Sequence, residues 1–185
     1  LKDKFNSALT SLDPKLTEGQ SAIVIDGNSQ RLYVVEKTSD GLKFDYETKV
    51  STGRRGFGRP KATEAHGKHA PAKTPDGLFR VYYTVDAKPG QVIRKGKALP
   101  VVLPDPNSGK KAEMTTKAMM LEDVDTSIDW KRSAQAKGIG IHGTNKEPRL
   151  GNKASDGCIR VSNLDILALD QIRRSNSGPL YVYIR

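Results

Sequence analysis

Apolar and β-branched residues cluster in short runs along the first half of the chain. Residues 22–37 form two such runs, rich in Ile and Val, on either side of the polar sequence Asp-Gly-Asn-Ser at 26–29. Two apolar runs around a turn of this composition are typical of a β-hairpin. Residues 42–51 and 78–85 show a similar pattern and are also predicted to be strands.

The pattern is weaker between residues 86 and 142. Residues 86–117 are ambiguous, and short strands interrupted by prolines are expected there at Ile93, Val101 and Val102. Residues 127–136 predict a short helix, and residues 138–142 predict a short apolar strand that ends at a histidine.

The clearest helix is predicted over residues 162–174. Ser162 can cap its first turn, and Asp165 three residues later completes a capping box. Its apolar face is predicted to consist of Leu164, Leu167 and Ile172. A last strand is predicted over residues 180–184, so strands predominate and the sequence favours a mainly β, or α+β, fold.

The length of 185 residues suits one domain with a short lead-in. Weak helical periodicity, broken at Pro14, marks residues 1–20 as the lead-in segment and residues 21–185 as the main domain. No apolar run approaches the roughly 20 residues that cross a bilayer. Because the chain starts at Leu1 rather than Met, we expect a trimmed or mature form from which a signal peptide or lipid anchor could have been removed.

Composition and charge narrow the class of partner. Hydrophobic residues make up 36% and charged residues 28% of the chain, which is typical of a globular protein rather than a disordered one. A formal net charge of +10 indicates nucleic acid, a carboxylate-bearing polymer, or simply a solvated basic surface. No nucleic-acid-binding module is recognisable, and Tyr33, Tyr82 and Tyr83 are predicted to pack in the sheet rather than to form a binding platform.

Residues 53–77 contain many Gly, Pro, Lys and Arg residues and show no periodic pattern. Loops of this length in a compact domain are usually functional or mobile. We therefore expect residues 54–73 to form a mobile, basic flap over a substrate groove. His66 and His69 lie in this segment, but catalytic zinc usually takes three protein ligands, so neither a metal nor another cofactor is predicted.

Two short segments carry reactive side chains. One is Ile-His-Gly-Thr at 141–144, and the other is Ser-Asp-Gly-Cys-Ile-Arg at 155–160. Cys158 is the only cysteine, so it forms no intrachain disulfide. A thiol that an imidazole can activate is a nucleophile, which makes Cys158 a candidate nucleophile and His142 its candidate base. The alternative is an inert core cysteine.

The neighbouring residues supply the other parts that acyl transfer needs. The carbonyl of Gly143 or Thr144 can accept from the histidine ring and fix its tautomer. The N–H groups of Gly157 and of the cysteine can face a developing oxyanion. Arg160 can hold a substrate carboxylate, although it could also be an ordinary surface charge.

These segments resemble the signature of the L,D-transpeptidase catalytic domain, the YkuD-type family, in which His-Gly-Thr/Ser precedes Ser-x-Gly-Cys by about a dozen residues. Three further sequences match the family in its order, at residues 30–34 (Gln-Arg-Leu-Tyr-Val), 51–53 (Ser-Thr-Gly) and 74–79 (Thr-Pro-Asp-Gly-Leu-Phe). The resemblance runs from about residue 22 to the C-terminus.

The resemblance implies a β-sandwich-like catalytic domain that acts on peptidoglycan stem peptides without a cofactor. The thiol would attack the third stem residue, release the terminal D-residue and pass the acyl group from a thioester to an amine, which forms a 3-3 cross-link. In some relatives the acceptor is a lipoprotein lysine or water. The compartment implied is the periplasm or the surface of a bacterial cell, and the predicted substrate contacts are Thr144, Ser155, Asp156 and Arg160.

Two other functions fit the same motifs. An L,D-carboxypeptidase would resolve the same thioester with water and trim the terminal D-residue. A non-catalytic peptidoglycan-binding domain would keep the fold after its catalytic centre has decayed.

Position 156 departs from the family, which most often has His where this chain has Asp156. A carboxylate two residues from the thiol would disfavour the thiolate by like-charge repulsion, which a cationic His142 and Arg160 could offset. Alternatively, Asp156 points away from the thiol and binds a substrate amine. The departure bears on the acceptor and the pH optimum more than on the nucleophile.

Overall fold

The computed structural model describes residues 3–59, 72–88, 91–94, 97–100 and 114–185. These residues form one mixed sheet of ten strands, together with three α-helices and several short 3₁₀ turns. The mainly β fold that the sequence predicts is confirmed. None of the described helices is long and apolar enough to span a membrane.

The strands follow one another along the chain as β1 (Ser21–Asp26), β2 (Arg31–Thr38), β3 (Gly41–Lys49), β4 (Gly77–Asp86), β5 (Gln91–Arg94), β6 (Lys97–Pro100), β7 (Met114–Asp123), β8 (Gly140–Thr144), β9 (Ile159–Val161) and β10 (Tyr181–Ile184). The helices are α1 (Asn6–Leu12), α2 (Ala134–Lys137) and α3 (Asn163–Ser175). The main path of the sheet is β3-β2-β1-β10-β4-β7-β5-β6, and β8 and β9 branch from β7. The β1–β10 and β8–β9 pairs are parallel.

The predicted hairpin is present as β1 and β2, and an aspartate fixes its turn. Asp26 is fully buried, and its carboxylate accepts from the Asn28 N–H at 3.3 Å and from the Ser29 hydroxyl at 2.5 Å. The same carboxylate pairs with the ammonium of Lys4 at 2.5 Å. The polar sequence after β1 therefore serves both as a turn and as an anchor for the N-terminal segment.

Two apolar cores lie on opposite faces of β1, because side chains alternate between the faces of a strand. Ile23 and Ile25 face the larger core, which also contains residues of α3, β2, β4 and β7–β10. Ala22 and Val24 face the smaller core, where α1 covers the outer side of the hairpin. Both faces of this strand are therefore buried.

Strand β7 is the main element that the hydrophobic pattern does not reveal. It pairs with β4, β5 and β8, and every residue from 117 to 121 is buried. A strand buried on both faces shows no alternation of apolar and polar residues. The buried Lys117 makes the strand still harder to recognise from the sequence. In the structure its ammonium is paired with the carboxylates of Asp86 and Asp170.

The other expectations for residues 86–136 have mixed outcomes. Ile93 lies in β5 and is buried, whereas Val101 and Val102 lie outside the described residues. The helix predicted over 127–136 is shorter, since α2 starts at Ala134 after a 3₁₀ turn at residues 130–132.

Helix α3 begins as predicted, with Ser162 Oγ accepting from the backbone N–H of Asp165, but it turns a different face to the core. Ile166 and Leu169 are fully buried. Leu164 is 80% exposed and Leu167 is 45% exposed, so the prediction that these two leucines face the core is wrong.

The tyrosines also divide between core and surface. Tyr33 is buried among the aromatic residues of the smaller core. Tyr82 and Tyr83 are 42% and 38% exposed, and their rings meet edge to face with centroids 4.6 Å apart. The prediction of sheet packing therefore holds for Tyr33 and is wrong for the pair on β4.

Candidate active site

Strands β8 and β9 bring the two reactive segments together. In this parallel pair Ile141 lies opposite Ile159, and His142 lies opposite Arg160. The two isoleucines belong to the larger core, so the alternation of side chains places the histidine and the arginine on the other face. Cys158 directly precedes β9 and is two residues from the arginine, so we infer that its thiol lies on that face too.

The imidazole of His142 is 3% exposed and is held by the next carbonyl along the chain. Its Nδ1 lies 2.7 Å from the carbonyl oxygen of Gly143. Because a carbonyl oxygen only accepts hydrogen bonds, Nδ1 carries the proton, and Nε2 of the neutral ring keeps its lone pair.

Burial lowers the pKa of His142 to about 4. The positive charge of Arg160 lowers this pKa too, whereas the hydrogen bond to Gly143 raises it. The ring is therefore neutral near pH 7 and is able to accept a proton.

Gly143, whose carbonyl holds the His142 ring, has no room for a side chain. A Cβ at that position would lie 2.4 Å from Asn163 Oδ1 and 2.5 Å from the carbonyl oxygen of Thr115. Asn163 Oδ1 accepts from the hydroxyls of Thr115 and Thr116, both at 2.7 Å, and its Nδ2 donates to the carbonyl of Thr144 at 3.2 Å. Asn163 thus joins β7 to the end of β8. Asn163 does not stand out in the sequence, because a polar residue at the start of a helix gives no distinctive signal.

Cys158 is partly buried, and its thiol donates to the carbonyl of Gly138 at 3.5 Å. In the described part of the chain no hydrogen bond joins the thiol to the imidazole of His142. Burial raises the pKa of Cys158, and a backbone hydrogen bond from Gly140 and the charge of Arg160 oppose this rise. The resting pair is therefore a thiol and a neutral imidazole.

The turn before the nucleophile is shaped by Ser155 and Gly157. Ser155 is fully buried; its hydroxyl donates to the carbonyl of Cys158 at 2.5 Å and accepts from the N–H of Gly157 at 3.1 Å. Gly157 has φ +134°, where L-residues are strained, and a Cβ there would lie 3.0 Å from the carbonyl oxygen of Lys73. Of the two N–H groups expected to face an oxyanion, that of Gly157 is thus engaged inside the turn.

Arg160 is a buried cation that no carboxylate among the described residues neutralises. It is 8% exposed, its Nη1 donates to the carbonyl of Ala154 at 3.1 Å, and it forms no ion pair with any described residue. Burial lowers the pKa of its guanidinium, the negative charge of an ionised Cys158 opposes this, and the charges of Arg149 and Arg54 lower the pKa further. The positive charge of this guanidinium acts on the thiol and suits an anionic group of a ligand.

Thr144 and Asp156, also predicted to contact substrate, lie in different environments. Thr144 is fully buried, and its hydroxyl accepts from the N–H of Lys146 at 3.1 Å. Asp156 is exposed and its carboxylate pairs with the guanidinium of Arg54. The groups that shift the pKa of Cys158 are its burial, the Gly140 backbone and Arg160, and the Asp156 carboxylate is not one of them.

The predicted flap falls largely outside the described residues, which omit 60–71 and therefore His66 and His69. Arg59, the last described residue before this segment, pairs with Asp123 and stacks on Phe79 with 5.5 Å between the guanidinium carbon and the ring centroid. Within the described residues no group of three or more His, Cys, Asp or Glu is placed to hold a metal ion.

Comparison with known proteins gives a match at the level of the protein family. The family model of the L,D-transpeptidase catalytic domain, YkuD, matches residues 20–172. Comparison with proteins of curated function gives no match.

Several solved structures have a similar fold. An L,D-transpeptidase from Xylanimonas cellulosilytica (residues 123–326) has 22% identity and a TM-score of 0.55, with 98% of this chain and 69% of the other covered. Bd1075 of Bdellovibrio bacteriovorus has 16% identity and a TM-score of 0.55, with 91% and 48% covered. An L,D-transpeptidase from Mycobacterium smegmatis has 15% identity and a TM-score of 0.50, with 90% and 58% covered. These likenesses establish the fold, and the chain spans about half of the last two structures.

Proposed function

The chain belongs to the L,D-transpeptidase catalytic domain family, and from this premise we propose that it transfers an acyl group of peptidoglycan stem peptides through a thioester on Cys158. The observation that carries the proposal is the parallel pairing of β8 with β9, which sets a neutral imidazole, a thiol and a buried guanidinium at neighbouring positions. Its substrate would be a stem tetrapeptide.

In the first half-reaction His142 would act as the base. Its Nε2 takes the thiol proton while the sulfur of Cys158 attacks the carbonyl carbon of the third stem residue. The C–S bond forms, the C–N bond to the terminal D-residue breaks, and the imidazolium returns the proton to the leaving amine. Because the pKa of His142 is lowered to about 4, the imidazolium gives up this proton readily.

In the second half-reaction an amine of another stem peptide attacks the thioester. His142 accepts the proton of the amine, the new amide bond forms, and the sulfur of Cys158 leaves and is reprotonated. The product is a 3-3 cross-link. Water in place of the amine would break the C–S bond and release the stem as a tripeptide instead.

The remaining residues would hold the substrate and the developing charge. The N–H of Cys158 would donate to the oxyanion, since that of Gly157 is engaged with Ser155. Arg160 would hold a substrate carboxylate, a role supported by its lack of an ion-pair partner among the described residues.

The substrate contacts predicted for Thr144 and Ser155 stay predictions, because both hydroxyls are buried and bonded to backbone groups. An amine contact by Asp156 stays a prediction too. A lipoprotein acceptor has no support beyond the family resemblance. Because peptidoglycan lies outside the cytoplasmic membrane, the proposal places the protein in the periplasm or at the cell surface.

The proposal is tested with purified disaccharide-tetrapeptide and mass spectrometry, with Cys158→Ala as the matched control. Loss of the terminal D-residue together with cross-linked dimers, both absent in Cys158→Ala, is the expected result. Trimmed monomers without dimers would establish the carboxypeptidase instead. No product and an unmodified Cys158 would overturn the proposal in favour of a binding domain.

A further inference from the structure

Thr74 connects the turn of the nucleophile to a neighbouring loop through a single hydroxyl. Its side chain is fully buried. Its Oγ1 accepts from the N–H of Gly53 at 2.8 Å and donates to the carbonyl oxygen of Gly157 at 2.7 Å. A hydroxyl has only one proton to donate, so this proton is committed to the peptide unit that joins Gly157 to Cys158.

The backbone of Thr74 is itself held on both sides. Its N–H donates to the carbonyl of Gly56 at 3.0 Å, and its carbonyl accepts from the N–H of Gly58 at 3.0 Å. The hydroxyl therefore acts from a fixed point of the fold. The residue that it contacts is a glycine at φ +134°, whose backbone has more rotational freedom than that of any other residue type.

The peptide unit between Gly157 and Cys158 is planar, so its carbonyl and its N–H point in opposite directions. A hydrogen bond that fixes the carbonyl oxygen also fixes the direction of the Cys158 N–H. The same bond polarises the peptide unit and strengthens its N–H as a donor. The Cys158 N–H is the group that would donate to the oxyanion, since Gly157 N–H is engaged with Ser155.

We propose that Thr74 is a positioning residue that aims the Cys158 N–H at the oxyanion formed during acylation of the thiol. The inference rests on the proposed function in one respect, namely that Cys158 is the acylated nucleophile. It goes beyond that function by assigning oxyanion stabilisation to a threonine that does not touch the reacting atoms.

Two reagents of different chemistry separate this role from a structural one. With p-nitrophenyl acetate, the sulfur attacks the acetyl carbonyl, an oxyanion forms, and p-nitrophenolate leaves as the thioester appears. With iodoacetamide, the sulfur displaces iodide from a saturated carbon, and no oxyanion forms. A change in the reactivity or exposure of the thiol affects both rates and cancels in their ratio. The ratio of the acylation rate to the alkylation rate of Cys158 therefore reports on the oxyanion donor.

We expect Thr74→Val to lower this ratio by about 10- to 100-fold, because a single oxyanion donor contributes about 100- to 1,000-fold and here the donor is misaligned rather than removed. Thr74→Ser, which keeps the hydroxyl, should restore the ratio. The matched control is Thr52→Val, which removes another fully buried hydroxyl, one that accepts from the Gln30 side chain at 2.7 Å. This control should leave the ratio near that of the wild-type protein.

An unchanged ratio in Thr74→Val, or a ratio that Thr74→Ser fails to restore, would overturn the inference. If Thr74→Val does not fold, the ratio is measured in Thr74→Ala, where water can satisfy the Gly53 N–H. Neither reagent resembles a stem peptide, so a wild-type protein inactive on tetrapeptide would sink the proposed function without affecting this test.

Discussion

At the scale of single residues, the buried imidazole of His142 links the site to the pH dependence of stability. The unfolded chain binds a proton at this histidine near pH 6.5, whereas the folded chain binds it only near pH 4. Protonation in this window therefore favours the unfolded state. The stability that the neutral His142 contributes to the folded state is complete above pH 6.5. It is lost progressively as the pH falls to about 4.

We expect the free energy of unfolding to fall by about 3 kcal/mol through His142 alone between pH 6.5 and 4, since each pH unit corresponds to about 1.4 kcal/mol. Urea unfolding at intervals across this range measures the effect. His142→Gln, whose amide is neutral throughout and can still donate to the Gly143 carbonyl, should show a much flatter profile. An equal slope in this variant would assign the pH dependence to other groups.

Arg160 is expected to influence the pKa of the Cys158 thiol. Its charge lowers the pKa of Cys158, so Arg160→Met should raise that pKa and reduce the rate of alkylation by iodoacetamide several-fold at pH 8. Arg160→Lys, which keeps a positive charge, should retain more of the rate. A pH profile of alkylation separates the two variants, and identical profiles for wild type and Arg160→Met would contradict the electrostatic role.

At the scale of elements, the sequence predicts the start of α3 correctly but not its orientation. Ser162 and Asp165 form the cap, which depends only on local spacing. The buried face contains Asp170, whose carboxylate pairs with Lys117 and with Arg173. An acidic residue on the side of the helix that faces the core makes that side look polar in the sequence. Its positively charged partners come partly from a distant strand, so local spacing does not reveal them.

The orientation of α3 gives a direct stability test. Ile166→Ala should lower the free energy of unfolding by about 2–4 kcal/mol, because it leaves a cavity in the larger core. Leu164→Ala on the same helix should change it by less than about 0.5 kcal/mol, because Leu164 is 80% exposed. Urea unfolding of both variants decides the matter, and a larger loss in Leu164→Ala would mean that the helix is rotated.

At the scale of the whole molecule, the sequence indicates the candidate catalytic residues but not how the fold brings them together. Cys158 and His142 stand out by their neighbours in the chain. Their proximity depends on the parallel pairing of β8 with β9 and on the position of β7, which pairs with β8. The hydroxyl of Thr74 reaches Gly157 across 83 positions of the sequence, a contact that no local pattern contains.

The N-terminal segment is also part of the folded molecule. Phe5 is fully buried and its ring lies 5.1 Å from that of Tyr33. Phe5→Ala should lower the free energy of unfolding by about 3–5 kcal/mol, whereas Thr10→Ala, at an exposed position of α1, should have little effect. Thermal unfolding of the two variants measures this, and equal melting temperatures would show that the lead-in segment contributes nothing.

The burial that raises the pKa of Cys158 has a consequence for the lifetime of the protein under oxidants. Peroxides attack thiolates far faster than thiols, so the desolvation that keeps the thiol protonated also protects the resting molecule from oxidation. That protection ends whenever the thiol loses its proton. The 185 residues contain no second cysteine, so a sulfenic acid formed at that moment finds no partner among them with which to form a disulfide.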